Sequence, residues 1–427
     1  MPLSPQEPSS PVVAAQPVCR KHYGWVVLSL IVLAVFASLG LARFGYTSLL
    51  PAMQDSLRLT NTQTGELQSW NLVGYLLTVV FAGLMATRYG PRVVIAGSLF
   101  ITGCALILTG LIPTYTGAQW GRFLAGVGGA GGNVPAMALV SAWFASNRRG
   151  LAAGAGVAGS SIGLMVTGPL VPVMLKRFGA NSWPLCWFVL GGMALAACVV
   201  CAIWLRNRPE EMGLQALGSA KAETNQPLPD KRTSALDWRL IYRSRILWHL
   251  AAIYFAFGFS YIIYTTFFSR YLVTEGGFTP AAAGFLLLQI GMVSGISGFI
   301  WGAISDRWGR RIALLSVCGL QGFSFLFLGL SRSVPMVYLS AGLFALTAWS
   351  IPALMAALCG DVFGARLAPA ALGLMTIIFG IGQALGPFFA GRVADVTHSF
   401  ATAYVAAGLV ALILGAGGSF FLRPVQK

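Results

Sequence analysis

Residues 83–92 read Gly-Leu-Met-Ala-Thr-Arg-Tyr-Gly-Pro-Arg, and residues 302–311 read Gly-Ala-Ile-Ser-Asp-Arg-Trp-Gly-Arg-Arg. Laid over one another, they match 219 residues apart, with Gly83, Arg88, Gly90 and Arg92 falling on Gly302, Arg307, Gly309 and Arg311. A second pair, Gly168-Pro169 and Gly386-Pro387, repeats at a separation of 218. Two independent anchors that agree within one residue predict a tandem duplication. Each copy of the first motif is a short basic turn between two long apolar runs, and those runs decide what is duplicated.

A helix that crosses the hydrocarbon core needs about 20 mostly apolar residues. Twelve runs qualify, at roughly 24–52, 63–87, 93–112, 115–143, 150–175, 183–205, 247–271, 280–304, 311–330, 334–359, 368–391 and 402–422. The composition agrees: of 427 residues, 56% are hydrophobic and only 9% charged, against about 25% charged in a soluble domain. The 52 glycines fit helices that approach closely where lipid gives them no hydrophobic drive to associate. The fold class expected is an all-α membrane protein, twelve transmembrane helices in two parallel-repeat six-helix bundles, the architecture of carriers that rock one half against the other around a midplane site. Its parts are a disordered tail over 1–22, an N-terminal bundle over 23–205, a linker over 206–246 and a C-terminal bundle over 247–427.

The net charge of +16 does not indicate a nucleic-acid partner, because Lys and Arg sit in short clusters between apolar runs, where they set membrane orientation. Arg20, Lys21, Arg88, Arg92, Arg148, Arg149, the eight basic residues of 206–246, Arg307, Arg310, Arg311, Arg366, Arg423 and Lys427 share one side; Arg58, Lys176, Arg177, Arg270, Arg332 and Arg392 fall on the other. This asymmetry puts both termini in the cytoplasm, and the location expected is the inner membrane of a bacterial cell, the chain acting as a monomer in the lipid bilayer. Arg20 and Lys21 directly precede the first run, which therefore serves as an uncleaved signal. The seven cysteines are scattered without metal-ligand spacing, and no metal or other cofactor is implied.

These residues resemble the major facilitator superfamily over nearly the whole chain. Gly302, Asp306, Arg307, Gly309, Arg310 and Arg311 are similar to its loop motif between the second and third helices of each half. In the first copy Arg88 is kept, but Thr87 replaces the acid and Pro91 a basic residue. The resemblance implies that Asp306 can latch the halves at the cytoplasmic face. Arg122-Phe-Leu-Ala-Gly126-Val-Gly128 is similar to the family's fourth-helix motif, and Gly163 with Gly168-Pro169 to its fifth-helix motif. Tyr23-Gly24-Trp25 and Arg206-Asn-Arg-Pro-Glu-Glu-Met-Gly213 resemble the monocarboxylate and oxalate/formate antiporter branch. That branch often places a charge in helix 8 or 11; here helix 8 has none and helix 11 only Arg392 at its outer end. Gly126-Val-Gly-Gly-Ala-Gly131 satisfies a dinucleotide fingerprint, but it lacks the strand before it and reads as helix packing.

A charge at the bilayer centre costs at least about 2.5–3.5 kcal/mol, so one that persists is a functional candidate. All twelve acidic residues fall in loops, tails or helix ends, and His22, His249 and His398 lie at helix margins. The mid-helix charges are Arg43 and Arg122. Without a buried acid beside them, a guanidinium attracts anions, and a carboxylate fits its planar fork. Arg122 matches a family motif whose alternative role is to orient neighbouring helices. Arg43 matches none; it is read as the substrate anchor, against the alternative of snorkelling to the headgroups. In the fold implied, helices 1, 4, 7 and 10 line the cavity, so Asn133, Tyr261, Tyr264 and Trp349, with Gln289 of helix 8 and Gln383 of helix 11, are further substrate-binding candidates.

The function expected is a secondary transporter of a small organic anion, a monocarboxylate, by alternating access, with a coupling proton or a counter-anion balancing charge. Efflux of amphipathic drug-like compounds into an aromatic pocket is the alternative, and a ligand-binding receptor that keeps the fold without turnover is a third. An enzyme is not expected, since no nucleophile–base pair, metal cluster or phosphate loop stands at credible spacing.

Overall fold

The computed structural model describes residues 22–218 and 243–422. The expected tail, apart from His22, and residues 219–242 of the expected linker lie outside them. Twelve helices long and apolar enough to span a membrane run through the described residues: α1 (Gly24–Leu57), α2 (Asn61–Tyr89), α3 (Pro91–Leu111), α4 (Tyr115–Trp143), α5 (Arg148–Phe178), α6 (Ala180–Trp204), α7 (Arg245–Thr274), α8 (Pro280–Trp308), α9 (Arg310–Leu330), α10 (Val334–Gly364), α11 (Ala370–Thr397) and α12 (Ala401–Phe420). Their outward faces carry large apolar side chains such as Leu77, Val80, Phe81, Ile296, Leu330 and Val396. Helices satisfy their own backbone groups, which hydrocarbon cannot. The chain is an integral membrane protein.

The duplicated motif has a backbone reason. Gly90 between α2 and α3 and Gly309 between α8 and α9 hold φ of 85° and 93°, with ψ of 148° and 155°. Only glycine takes that region without strain, so the same turn is built twice. At the opposite end, helix starts are fixed by side-chain caps. Thr60 and Gln63 form a reciprocal capping box on α2, while Thr114 and Thr279 accept from the backbone of Gly117 and Ala282. Helices α10 and α11 run on across a kink at Gly364, where φ is 68°.

Several spans run past their expected limits. Helix α1 continues to Leu57 because its last turns are held by Gln54, whose amide donates to the Leu59 carbonyl at 3.2 Å and to Asn61 at 2.7 Å. The first part of the expected linker is tied to the N-terminal half. The Trp143 indole donates to the Arg206 carbonyl at 3.0 Å, and Leu217 exchanges backbone bonds with Trp143 and Ala145. Residues 206–218 are therefore strapped to the end of α4.

The halves meet along α2 with α11, α5 with α8, and α1 with α7. Contact is tightest on the side bearing the α1–α2, α7–α8 and α11–α12 turns, here called the far side. Gly65 of α2 faces the Pro387 carbonyl of α11, and Gly391 of α11 faces the Asn61 carbonyl, both too closely to admit a Cβ. Gly168 of α5 and Gly284 of α8 approach each other's carbonyls in the same way. Asp395 accepts from the backbone nitrogens of Asn61 and Thr62 at 2.9 and 2.8 Å, capping α2 from the other half. Asp55 pairs with Arg270 at 2.6 Å. Toward the side that carries residues 22 and 422, Gly150, Gly302, Gly360 and Gly373 have no such neighbour within 4 Å. The seams are closed at the far side, and α5 and α8 still touch at Gly154 and Phe299 before they part toward Gly150 and Gly302.

Candidate functional site

Arg43 lies in a π-helical stretch of α1, Phe36–Phe44, where the wider turn re-aims side chains. It is only 8% exposed, and its Nε is buried without a hydrogen-bond partner. Its guanidinium carbon stands 5.3 Å from the centre of the Tyr75 ring of α2, a cation–π contact. The Tyr75 hydroxyl accepts from the Asn133 amide of α4 at 3.0 Å. The Tyr261 hydroxyl of α7 is turned toward Arg43 and accepts from the Gln383 amide of α11. Trp349 of α10 sets its ring edge-on to Tyr261 at 6.2 Å and against Phe44 at 5.7 Å. Its indole donates to Ser161 of α5 at 2.9 Å.

Both halves thus supply one constellation: a cation, amides and phenols around it, and an aromatic wall. The wall continues through Phe257 and Phe379, which stack on Tyr261 at 4.7 and 6.1 Å, and Tyr254, which stacks on Phe379 at 4.4 Å. The four ion pairs among the described residues join Arg270 to Asp55, Arg310 to Asp306 and Asp361, and Arg332 to Glu275. None of them reaches Arg43.

Arg122, fully buried, is spent on the scaffold. It donates to the Ala42 carbonyl of α1 and to Gln68 of α2, the latter at 2.5 Å, and lies over the Tyr46 ring at 4.6 Å. Three helices are tied together by this one side chain. In the Gly126–Gly131 stretch of α4, Gly126 lies against the Asn71 carbonyl of α2, while Gly128 and Gly131 lie against Thr102 and Ser98 of α3.

The other expected residues fall elsewhere. Tyr264 turns into the C-terminal bundle, with its hydroxyl 2.9 Å from Ser340 and its ring among Phe268, Phe325, Phe344 and Tyr404. Gln289 is part-buried on α8 and joins none of the hydrogen bonds of the site. Asp306 pairs with Arg310 within its own half, at 2.6 Å, and Arg310 also reaches Asp361 at 2.9 Å. Arg307 is exposed, and Arg88 lies over its neighbour Tyr89. Gly168-Pro169 and Gly386-Pro387 both lie at the closed seam, Gly386 against the Phe259 carbonyl of α7.

Tyr75, Phe44, Ser161, Tyr254 and Phe379 join the constellation without a mark in the sequence reading above. The signal for Tyr75 is Gly74 beside it, which lets α2 touch the Phe123 carbonyl of α4 and so brings the ring to the centre.

Fold and site define a polytopic helical membrane protein of two six-helix halves closing on a central buried cation. The description "Major Facilitator Superfamily" belongs to a family model that matches residues 31–328 and 277–427. The chain belongs to that superfamily. It is 26% identical over 401 residues to the "Probable sulfoacetate transporter SauU" of Cupriavidus necator, covering 88% of each chain. It is 25% identical over 437 residues to "Monocarboxylate transporter 2" of Mus musculus, covering 96% of this chain and 86% of the other. A bacterial homolog of the human lysosomal transporter Spinster, in an inward-facing and occupied conformation, shares the fold with a TM-score of 0.73 at 16% identity, over 94% of this chain and 97% of that one.

Proposed function

We propose that this protein is a secondary carrier of small organic anions, with monocarboxylates as the substrate class, working by alternating access across a bacterial inner membrane. The observation that carries the proposal is Arg43: a nearly buried guanidinium, held by an aromatic face rather than a carboxylate, with its Nε unpartnered. Leaving a charged donor unsatisfied costs more than the usual 1–3 kcal/mol of a buried polar group. An anion that accepts from it removes that cost. Asn133, Gln383 and Tyr261 then hold the remaining substrate oxygens, and Trp349 with Phe44 closes over the apolar part.

The basic-residue asymmetry supports a topology with both termini in the cytoplasm; in that topology the parted side faces inward and the arrangement is an inward-facing one. Asp306, bound within its own half, is free to latch the cytoplasmic ends when the bundle rocks. Two relatives bear the names of carriers for sulfoacetate and for monocarboxylates, which are organic acids. Charge balance is met by a proton travelling with the substrate or by a second anion returning.

The test is uptake of labelled small carboxylates into proteoliposomes, with and without internal anion. Saturable uptake, competed by other carboxylates and not by cationic dyes, supports the proposal. Competition by hydrophobic cations alone assigns the protein to amphipathic efflux, and ligand binding without flux assigns it to a receptor role.

A further inference from the structure

A second cavity lies away from the central constellation. It has a volume of about 560 Å³, within the range of small-molecule sites. Its walls come from both halves: Ser48, Pro51, Ala52 and Asp55 of α1 and Lys176 of α5 on one side, Ser269 and Val273 of α7 and Pro280 of α8 on the other. The α1 residues follow i, i+3, i+4, i+7 spacing, one stripe of the helix. The floor is the Gly168–Gly284 approach, and the mouth opens at the far side, beside Lys176, Ala180 and Thr279.

Charge and polarity grade along its depth. The middle is apolar: Pro51, Ala52, Pro172, Leu175, Val273 and Pro280. At the rim Asp55 is neutralised by Arg270 at 2.6 Å. Lys176, exposed, takes part in none of the ion pairs among the described residues and leaves the mouth positive. From Lys176 down to Gly168 the helix descends about 12 Å, enough for a medium-length chain. Near the floor the Ser48 hydroxyl is buried, 8% exposed, with no partner in the protein.

We propose that this cleft binds an anionic amphiphile, its acid group on Lys176 and its chain between α1, α5, α7 and α8, and that the bound molecule holds the far side closed by bridging the halves. A neutral chain of the same length lacks the contact at the mouth. The ligand class is defined by that pairing of one acid with an unbranched apolar tail, whether it arrives as a free fatty acid or as an anionic lipid.

The probe is a diazirine-bearing medium-chain fatty acid, photoactivated with the full-length protein in nanodiscs of zwitterionic lipid. The sites of attachment are mapped by mass spectrometry. Attachment is expected on the segments that line the cleft, around Ser48–Asp55, Gly168–Ala180 and Ser269–Gly284. It should fall about threefold to fivefold in Lys176→Gln, the scale of one partly exposed charge contact. Ala52→Trp, which fills the cleft, should abolish it, and Arg43→Gln should leave it unchanged, separating this site from the central one. Unlabelled fatty acid should compete in either case; anionic lipid in the disc that competes at a lower concentration than the free acid names the lipid as the source, and the reverse names the free acid. Attachment spread evenly over the lipid-facing helices, or equal in wild type, Lys176→Gln and Ala52→Trp, would overturn the proposal.

Discussion

The Arg43 guanidinium rests over the face of Tyr75, 5.3 Å from carbon to ring centre, and no ion pair among the described residues reaches it. A ring quadrupole repays part of the desolvation of a cation without neutralising it. The pair therefore leaves the guanidinium at the junction of the halves without a carboxylate partner, and it is there that we propose the substrate anion binds.

Tyr75→Leu should weaken anion binding about threefold to thirtyfold, in line with about 0.5–2 kcal/mol for a cation–π contact. Tyr75→Phe keeps the ring and loses only the hydroxyl that accepts from Asn133, so its affinity should stay near wild type. Titration of both variants with the same carboxylate checks the order.

The two membrane arginines should behave in opposite ways under thermal unfolding. Arg122→Met removes donors to Ala42 and Gln68 and should destabilise the protein by about 1.5–3 kcal/mol per charged hydrogen bond lost. Arg43→Met removes a cation whose Nε is unsatisfied and should leave the unliganded protein as stable as wild type or more so.

Tyr264 and Tyr261 stand one turn apart on α7 but face different surroundings. Tyr264→Phe loses the bond to Ser340 and should cost stability of about 1 kcal/mol with substrate affinity unchanged. Tyr261→Phe loses the contacts to Gln383 and Arg43 and should lower affinity with a smaller effect on the unfolding temperature.

The far-side closure rests on Asp395 and on the absence of a Cβ at Gly65. Asp395→Asn weakens a carboxylate at a helix N-terminus, a contact of about 0.3–1 kcal/mol and more when partly buried. Gly65→Val places atoms where the Pro387 carbonyl lies. Both should raise the rate at which a membrane-impermeant maleimide labels a cysteine placed at Ser69, Gly65→Val by more. Unchanged labelling in both would show that this seam is not what holds the far side.

Much of this was readable from the chain. The repeated Gly-x-x-x-x-Arg-x-Gly pattern marks the turns at Gly90 and Gly309 because a positive φ leaves a signature in residue type. Hydrophobic length marks the spans, since hydrocarbon thickness sets it. Arg43, Asn133, Tyr261, Trp349 and Gln383, marked out by being polar or aromatic at depth, lie together at the junction of the halves. Tyr264, chosen on the same grounds, does not, because a residue one turn along a helix already meets another neighbour. Tyr75 carries no such mark in the sequence, since α2 borders the centre only through the local approach at Gly74. The strap over 206–218 is built from backbone bonds, which composition does not reveal, and the far-side cleft is a property of how four helices diverge above Gly168 and Gly284.

The most direct measurement is thermal unfolding of the purified protein with a series of small carboxylates, in wild type and Arg43→Gln. A ligand bound only by the folded state at 100 times its Kd adds about 2.7 kcal/mol. One subset of monocarboxylates should raise the unfolding temperature of the wild type and have no effect on Arg43→Gln, which itself should unfold no earlier than wild type. Equal stabilisation of both proteins by the same carboxylates would contradict the anchor role of Arg43.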